Sequence, residues 1–305
     1  MSDNFKIIGN LYEDNDKLNA IKSTPANQLR SMLNQVRGEF LIEKIEDDIK
    51  HIFTDPWATK GAGKGYTPNT HYVYNPNGSL RSTEVIVKWN LEQHKDTIDD
   101  CVQEVIKSIQ LRYEPNCLLL LSGGIDSSAI AVILHDLGHY VTCLSVNENT
   151  DQIQEYCNKH EYIRWDQQKR HPNLVEKIAK FAKEQIGKTV ILTGNVCDGP
   201  YYNNDIHFKF PKNLKEIFPW ADFNQNKTVK ICNLWDRQAY NYGVDFRMCF
   251  ADRVLMQEFL NLIPEIKNQR YKHHISLILE QRGLDLNKFT KLDMTDNNYT
   301  KSLGD

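Results

Sequence analysis

Four consecutive leucines, Leu118 to Leu121, run directly into Ser122-Gly123-Gly124-Ile125-Asp126-Ser127-Ser128, after which an apolar helical pattern begins. A short, unbroken apolar run suits a central strand of a parallel sheet, where both faces are buried. The small polar residues that follow require a tight turn before the helix. Parallel strands need crossovers to return, so this strand, turn and helix place the chain in the α/β class.

The turn has the composition of an anion cradle. Glycines let backbone N–H groups come close to an anion, and the following helix presents unpaired amides at the positive end of its dipole. The hydroxyls of Ser122, Ser127 and Ser128 add donors. Asp126 does not suit a bare phosphate, since a carboxylate repels it unless a cation lies between them, and Mg²⁺ is the usual hard-ion bridge. The expected ligand is therefore Mg-pyrophosphate. The string lacks the Gly-x4-Gly-Lys-Ser/Thr spacing and the phosphate-binding lysine of a Walker A loop.

Away from the turn, the pattern changes near residue 90. Residues 1–92 are expected to form a small β-rich domain, with strands over Glu39 to Ile45, Ile52 to Phe53, His71 to Tyr74 and Thr83 to Trp89. Residues 93–305 are expected to form the larger domain. They alternate through helix Asp96 to Leu111, strand Leu118 to Leu121, helix Ser127 to Leu137, strand Tyr140 to Val146, helix Pro172 to Ile186 and strand Thr189 to Thr193. Such alternation predicts parallel βαβ units, with helices on both faces of the sheet. Ligands of open α/β sheets sit beyond the carboxyl ends of strands. Three such ends are legible: the Ser122 turn, Leu144-Ser145-Val146, and Leu192 to Asp198.

With 305 residues, 40% hydrophobic and 25% charged, the chain can bury a sizeable core. A net charge of −3 exerts no overall pull toward nucleic acid or an anionic membrane. No apolar stretch approaches the roughly 20 residues that cross a bilayer, and the polar N-terminus lacks a signal-peptide segment. The expectation is a soluble, cytoplasmic protein. Seven cysteines are scattered without a Cys-x2-Cys pair, which favours reduced core residues over a zinc site or a disulfide framework.

Ser-Gly-Gly-x-Asp-Ser-Ser after a hydrophobic strand resembles the pyrophosphate loop of N-type ATP pyrophosphatases, which include asparagine synthetases, GMP synthetase, NAD synthetase and some tRNA-modifying enzymes. The resemblance implies an adenine nucleotide α-hydrolase-like fold. It also implies cleavage of ATP between its α and β phosphates, adenylylation of a substrate oxygen, and displacement of AMP by a nucleophile, often ammonia. Nucleotide contacts are then expected from Leu121, Ser122, Gly123, Gly124, Asp126, Ser127 and Ser128, and from Ser145 and Val146, where these families grip adenine and ribose.

The strand end Leu192-Thr193-Gly194-Asn195-Val196-Cys197-Asp198-Gly199 is similar to the Ser-Gly-Glu/Asp-Gly-x-Asp-Glu of asparagine synthetases, matching at Gly194 and Asp198. Asp198 is then expected to hold Mg²⁺ opposite Asp126, and Gly194 to line the nucleotide. Asn195 replaces the motif's first acidic residue and Gly199 its last. The stretch from Asp236 to Asp252 resembles a further asparagine synthetase segment at Asp236, Arg237, Arg247, Phe250 and Asp252, and Arg247 is expected to brace it against Asp236 or Asp252. In that family a lysine near the end of the catalytic domain contacts the phosphates. Lys288 and Lys291 lie in that region and join Asp126 and Asp198 as expected catalytic residues.

Full-length asparagine synthetases begin with a glutaminase domain whose nucleophilic cysteine follows the initiator methionine. Here Ser2 follows Met1, and the first cysteine is Cys101. Val36 to Phe40 and Phe53 to Lys60 are similar to that domain's Gly-x-Phe strand and Arg-Asp-x-x-Gly-x-Lys-Pro loop. Residues 1–92 therefore read as a shortened glutaminase-like domain without that activity.

The implied function is an ATP-dependent, AMP-forming amide ligase acting on a small-molecule carboxylate such as aspartate, with ATP and Mg²⁺ as cofactors. Nitrogen would arrive as free ammonia, from a separate glutaminase subunit, or as an amine already on a substrate. A homodimer is the expected assembly, and neither membrane nor nucleic acid is an expected partner. The alternatives are an adenylylating nucleobase or tRNA modification enzyme and a non-catalytic nucleotide-binding relative.

Overall fold

The computed structural model describes residues 4–60, 64–146, 150–166, 173–201 and 209–289. The chain begins with β1 (Phe5–Leu11), α1 (Asn15–Ser23), α2 (Ala26–Leu33), β2 (Gly38–Glu46), β3 (Ile49–Thr54), β4 (Thr70–Tyr74) and β5 (Leu80–Val85). Next come α3 (Asp99–Arg112), β6 (Leu118–Leu120), α4 (Ile125–Asp136), β7 (Thr142–Val146), α5 (Asp151–Tyr156), β8 (Glu161–Trp165), α6 (Leu174–Phe181) and β9 (Val190–Thr193). The last elements are α7 (Asp198–Tyr201), α8 (Asn226–Tyr240), β10 (Asp245–Met248), α9 (Arg253–Asn261), α10 (Pro264–Lys267) and α11 (His273–Glu280). These build an α/β chain with a parallel sheet and a separate antiparallel sheet. Two compact units interleave along the sequence: the described residues of 1–98, 196–236 and 251–268 form the first, and those of 99–195, 237–250 and 269 onward the second.

In the first unit the antiparallel sheet runs β1-β2-β3-β4-β5. Its β2–β3 hairpin turns through Asp47 and Asp48, both left-handed at φ 51° and 62°, the pair of conformations whose twist matches the flanking strands. Side chains alternate between the faces, as strand geometry requires. Phe40, Ile42 and Phe53 pack with Ile21, Leu29 and Leu33 of α1 and α2. Leu41, Ile52 and Tyr72 form a smaller cluster.

Strand β5 ends at Val85, so the expectation of a strand from Thr83 to Trp89 is corrected. Asn69 draws the chain away: its side chain accepts from the Val87 amide at 2.6 Å and donates to the Val87 carbonyl at 3.0 Å. Ile86 and Val87 enter the core in consequence.

Asp55 organises the loop after β3. It is fully buried and accepts from the amides of Phe40, Trp57 and Thr59 and from the Thr59 hydroxyl, at 2.7 to 3.1 Å. Burial pushes its carboxyl up to about 6, outweighing the Thr59 hydroxyl and the amides that favour the charged form. Further along the chain, Asp252 caps α9 through the Val254 and Leu255 amides and pairs with Arg37 at 2.9 to 3.0 Å. The segment after α9 joins the first ninety-eight residues through a bridge between Lys95 and Leu262.

In the second unit every strand pair is parallel, in the order β10-β9-β6-β7-β8. Leu118 to Leu121 are buried, as are Cys143, Leu144, Ile191, Leu192 and Phe246 on neighbouring strands. Helix α4 is buried along most of its length, from Ser127 to Leu134, which is the behaviour of a helix apolar all round. Strands β8 and β10 escaped the sequence reading because both mix charged and apolar residues. On β10, Arg247 is accommodated by Asp245 at 2.9 Å, Glu114 at 2.5 Å and the Arg112 carbonyl at 2.9 Å. Asp236 and Asp252, the expected partners of Arg247, belong to the first unit.

All seven cysteines are buried thiols. Among the described residues no helix is long and apolar enough to cross a membrane.

His71 on β4 stacks on Phe53 at 4.1 Å, and its Nε2 lies 3.0 Å from His51 Nδ1. Burial, with smaller contributions from His51 and Arg30, lowers it to about 4, against an ordinary value near 6.5. The unfolded chain therefore binds a proton between those pH values that folded His71 refuses, and the contribution of His71 to stability falls as pH drops from 6.5 toward 4. The expected outcome is that His71→Gln flattens this part of the pH dependence, read from urea unfolding midpoints across that range.

Candidate functional site

The parallel sheet reverses its order at β6: β7 and β8 lie to one side, β9 and β10 to the other. Crossovers leaving β6 and β9 in opposite directions open a crevice at their carboxyl ends, where ligands of open α/β sheets bind. The Ser122 turn leaves β6 at that point. The Leu121 amide still donates to the Leu144 carbonyl at 2.9 Å, so the chain departs from the sheet only beyond it. Gly123 sits at φ 68°, which glycine adopts without steric cost. Gly124 is extended and starts α4 with no side-chain cap, leaving the helix start open to an acceptor from outside.

Ser127 closes the turn. Its Oγ accepts from the Ser122 amide at 3.1 Å and lies 3.0 Å from the Ser122 hydroxyl. It also donates to the Gly124 carbonyl at 3.3 Å. Of the expected phosphate donors, Ser127 is thus engaged in holding the loop.

Other polar groups here lack partners. The hydroxyls of Ser128, 0% exposed, and Ser145, 5% exposed, are buried without a hydrogen bond, as is Nδ2 of Asn195 just beyond β9. Leaving such a group unsatisfied costs about 1–3 kcal/mol, so three around the carboxyl ends of adjacent strands favour an incoming ligand. Gly194 brings the end of β9 against the start of α4: a Cβ there would lie 2.9 Å from Asp126 Cβ and 3.0 Å from the Ser127 amide nitrogen. No side chain fits that gap.

Asp126 meets a residue absent from the sequence-level set. Nζ of Lys272 lies 2.5 Å from Asp126 Oδ2, with the lysine side chain only 2% exposed and its ammonium 4.9 Å from the Tyr271 ring. Lys272 precedes α11 in the left-handed conformation, φ 48° and ψ 48°. One signal was available in the sequence: Lys272, His273 and His274 head an apolar helix, and cations are disfavoured at that end of the dipole. Beside it, His274 is fully buried and lowered to about 3 by burial, Lys272 and His273.

The remaining expected residues are placed as follows. Val146 is buried at the end of β7. Asp198 opens α7 and belongs to the first unit, whereas Asp126 belongs to the second. Gly199 has a packing reason, since a Cβ there would lie 2.2 Å from Thr228 Oγ1 and 2.4 Å from the Asp222 carbonyl. An acidic residue has no room at that position. Lys288 is exposed in a 3₁₀ turn, and Lys291 lies outside the described residues. Among the described residues no group of three or more His, Cys, Asp or Glu side chains is arranged to hold a metal.

Asp126 nevertheless suits a hard cation whose remaining ligands are phosphate oxygens. The ammonium of Lys272 already occupies a cation's position beside it. No protein-family model matches the chain, and no curated protein matches it.

The close approach at Gly194 generates a test. Gly194→Ala is expected to displace the start of α4, costing about 1–3 kcal/mol of stability as overpacking does. Thermal unfolding of the variant measures the effect.

Proposed function

We propose that the second unit binds ATP at the Ser122 turn and that the protein is an AMP-forming amide ligase of the asparagine synthetase-like kind. The fold proposed for this unit is adenine nucleotide α-hydrolase-like, with helices on both faces of its sheet. The observation carrying this reading is the position of the Ser122 turn at the switch point, with the Ser128 and Ser145 hydroxyls buried and unpartnered there and Lys272 against Asp126.

In this reading the amides of the turn and the two hydroxyls bind phosphate oxygens, and Gly123 and Gly194 let backbone approach them closely. Lys272 offsets charge on the departing pyrophosphate, an electrostatic contribution that matters most where water is excluded. Mg²⁺, in place of Lys272 beside Asp126, would supply neutralisation of the phosphates by the same route. The carboxylate and the nitrogen nucleophile are held in line by the rest of the crevice, which lowers the entropic part of the barrier. The substrate proposed is a small carboxylate such as aspartate, and the nitrogen donor is ammonia or an amine.

Asn195 favours a second reading. A carboxamide cannot take up a proton from a nucleophile, so a nucleotide-binding relative without turnover also suits this strand end.

Exchange of labelled pyrophosphate into ATP with a panel of amino acids tests both. Exchange that depends on aspartate or another carboxylate supports the ligase. Exchange that depends on RNA supports a modification enzyme, and ATP binding without exchange supports the non-catalytic relative. Asp126→Asn is expected to abolish exchange, and full activity in that variant would remove Asp126 from the reaction.

A further inference from the structure

A cation buried at the start of a helix is doubly unfavourable in Lys272. Its backbone takes a left-handed conformation that is unfavourable for a non-glycine residue, and its charge opposes the dipole of α11. Such features persist where the surroundings impose them. Here the surrounding group is Asp126, at 2.5 Å, with Tyr271 behind the ammonium.

The consequence lies in the charge of the crevice. A carboxylate at the mouth of a phosphate cradle would repel phosphate, and the usual remedy is a bridging divalent cation. Lys272 supplies that positive charge from within the chain. The pair is neutral as a whole. Donors without a partner lie close by in the chain and at the neighbouring strand ends: the Ser128 and Ser145 hydroxyls and the Asn195 amide. Asn195 adds no negative charge at the end of β9, where a carboxylate would add one.

We infer that the Ser122 turn accepts pyrophosphate without a divalent metal, because Lys272 stands in the cation's place at Asp126, and that Mg²⁺ and Lys272 are alternative partners of that carboxylate. The inference rests on the reading of this turn as a phosphate site. It adds that metal is dispensable for binding the anion, and that Mg²⁺ alone binds weakly because it must displace a buried ammonium.

Calorimetric titration of the full-length protein with inorganic pyrophosphate, once in EDTA and once with Mg²⁺, tests it. Binding is expected in both. Lys272→Gln is expected to weaken binding in EDTA by about tenfold or more, equivalent to about 1.4 kcal/mol, and to tighten binding of Mg²⁺ titrated alone. Removing one member of a buried pair is destabilising, so the wild-type titrations are decisive by themselves, and Lys272→Arg, which keeps the charge, is expected to retain binding in EDTA. Pyrophosphate binding by the wild type only when Mg²⁺ is present would overturn the inference and leave the nucleotide site standing. Failure to bind pyrophosphate or ATP under either condition would instead overturn the site itself.

Discussion

Burial of β6 on both faces is the constraint from which the second unit follows. Leu118 to Leu120 pair with β7 on one side, Leu118 and Leu119 pair with β9 on the other, and all three are buried. A strand so enclosed needs helices to carry the chain back, and parallel pairing is the outcome. Placing the first strand of the sheet at its centre makes the connections diverge. The crevice at the end of β6 is a product of that topology, and the Ser122 turn is the segment that emerges into it.

Buried polar groups occur in both units. In the first, they tie loops to strands: Asp55 collects four donors, Asn69 pins Val87, and Asp252 both caps α9 and receives Arg37. Each is satisfied by backbone or by an opposite charge, as buried polar groups generally are. Around the Ser122 turn, Ser128, Ser145 and Asn195 present buried atoms that the chain does not satisfy.

Much of the α/β pattern was legible because it rests on local rules. The leucine run, the apolar length of α4, and Gly138 and Gly187 in left-handed conformations after helices all follow from periodicity and from the steric freedom of glycine. Elements built on mixed residues were not legible. Strand β10 carries Asp245 and Arg247, which look like surface residues until Glu114 and the Arg112 carbonyl are brought to them. Strand β5 stops early because Asn69, sixteen positions before Val85, takes up the backbone that follows. The proposed site divides in the same way. Its glycines and serines were visible as a string, but Lys272 was not, since it reaches Asp126 only through the packing of α11 against α4.

The sequence by itself determined that a buried strand ends in a glycine- and serine-rich turn before a helix, because four leucines followed by six small or polar residues around a single isoleucine leave few other conformations. It likewise favoured reduced core thiols, and the structure buries all seven cysteines. Only the tertiary structure decided which charge accompanies Asp126 and which polar groups share its surroundings. It also assigned residues 196–236 and 251–268 to the unit formed by the first ninety-eight. The reason is physical: hydrogen bonds and ion pairs act over a few ångströms of space, and separation along the chain carries no record of which distant residues the fold will bring within that reach.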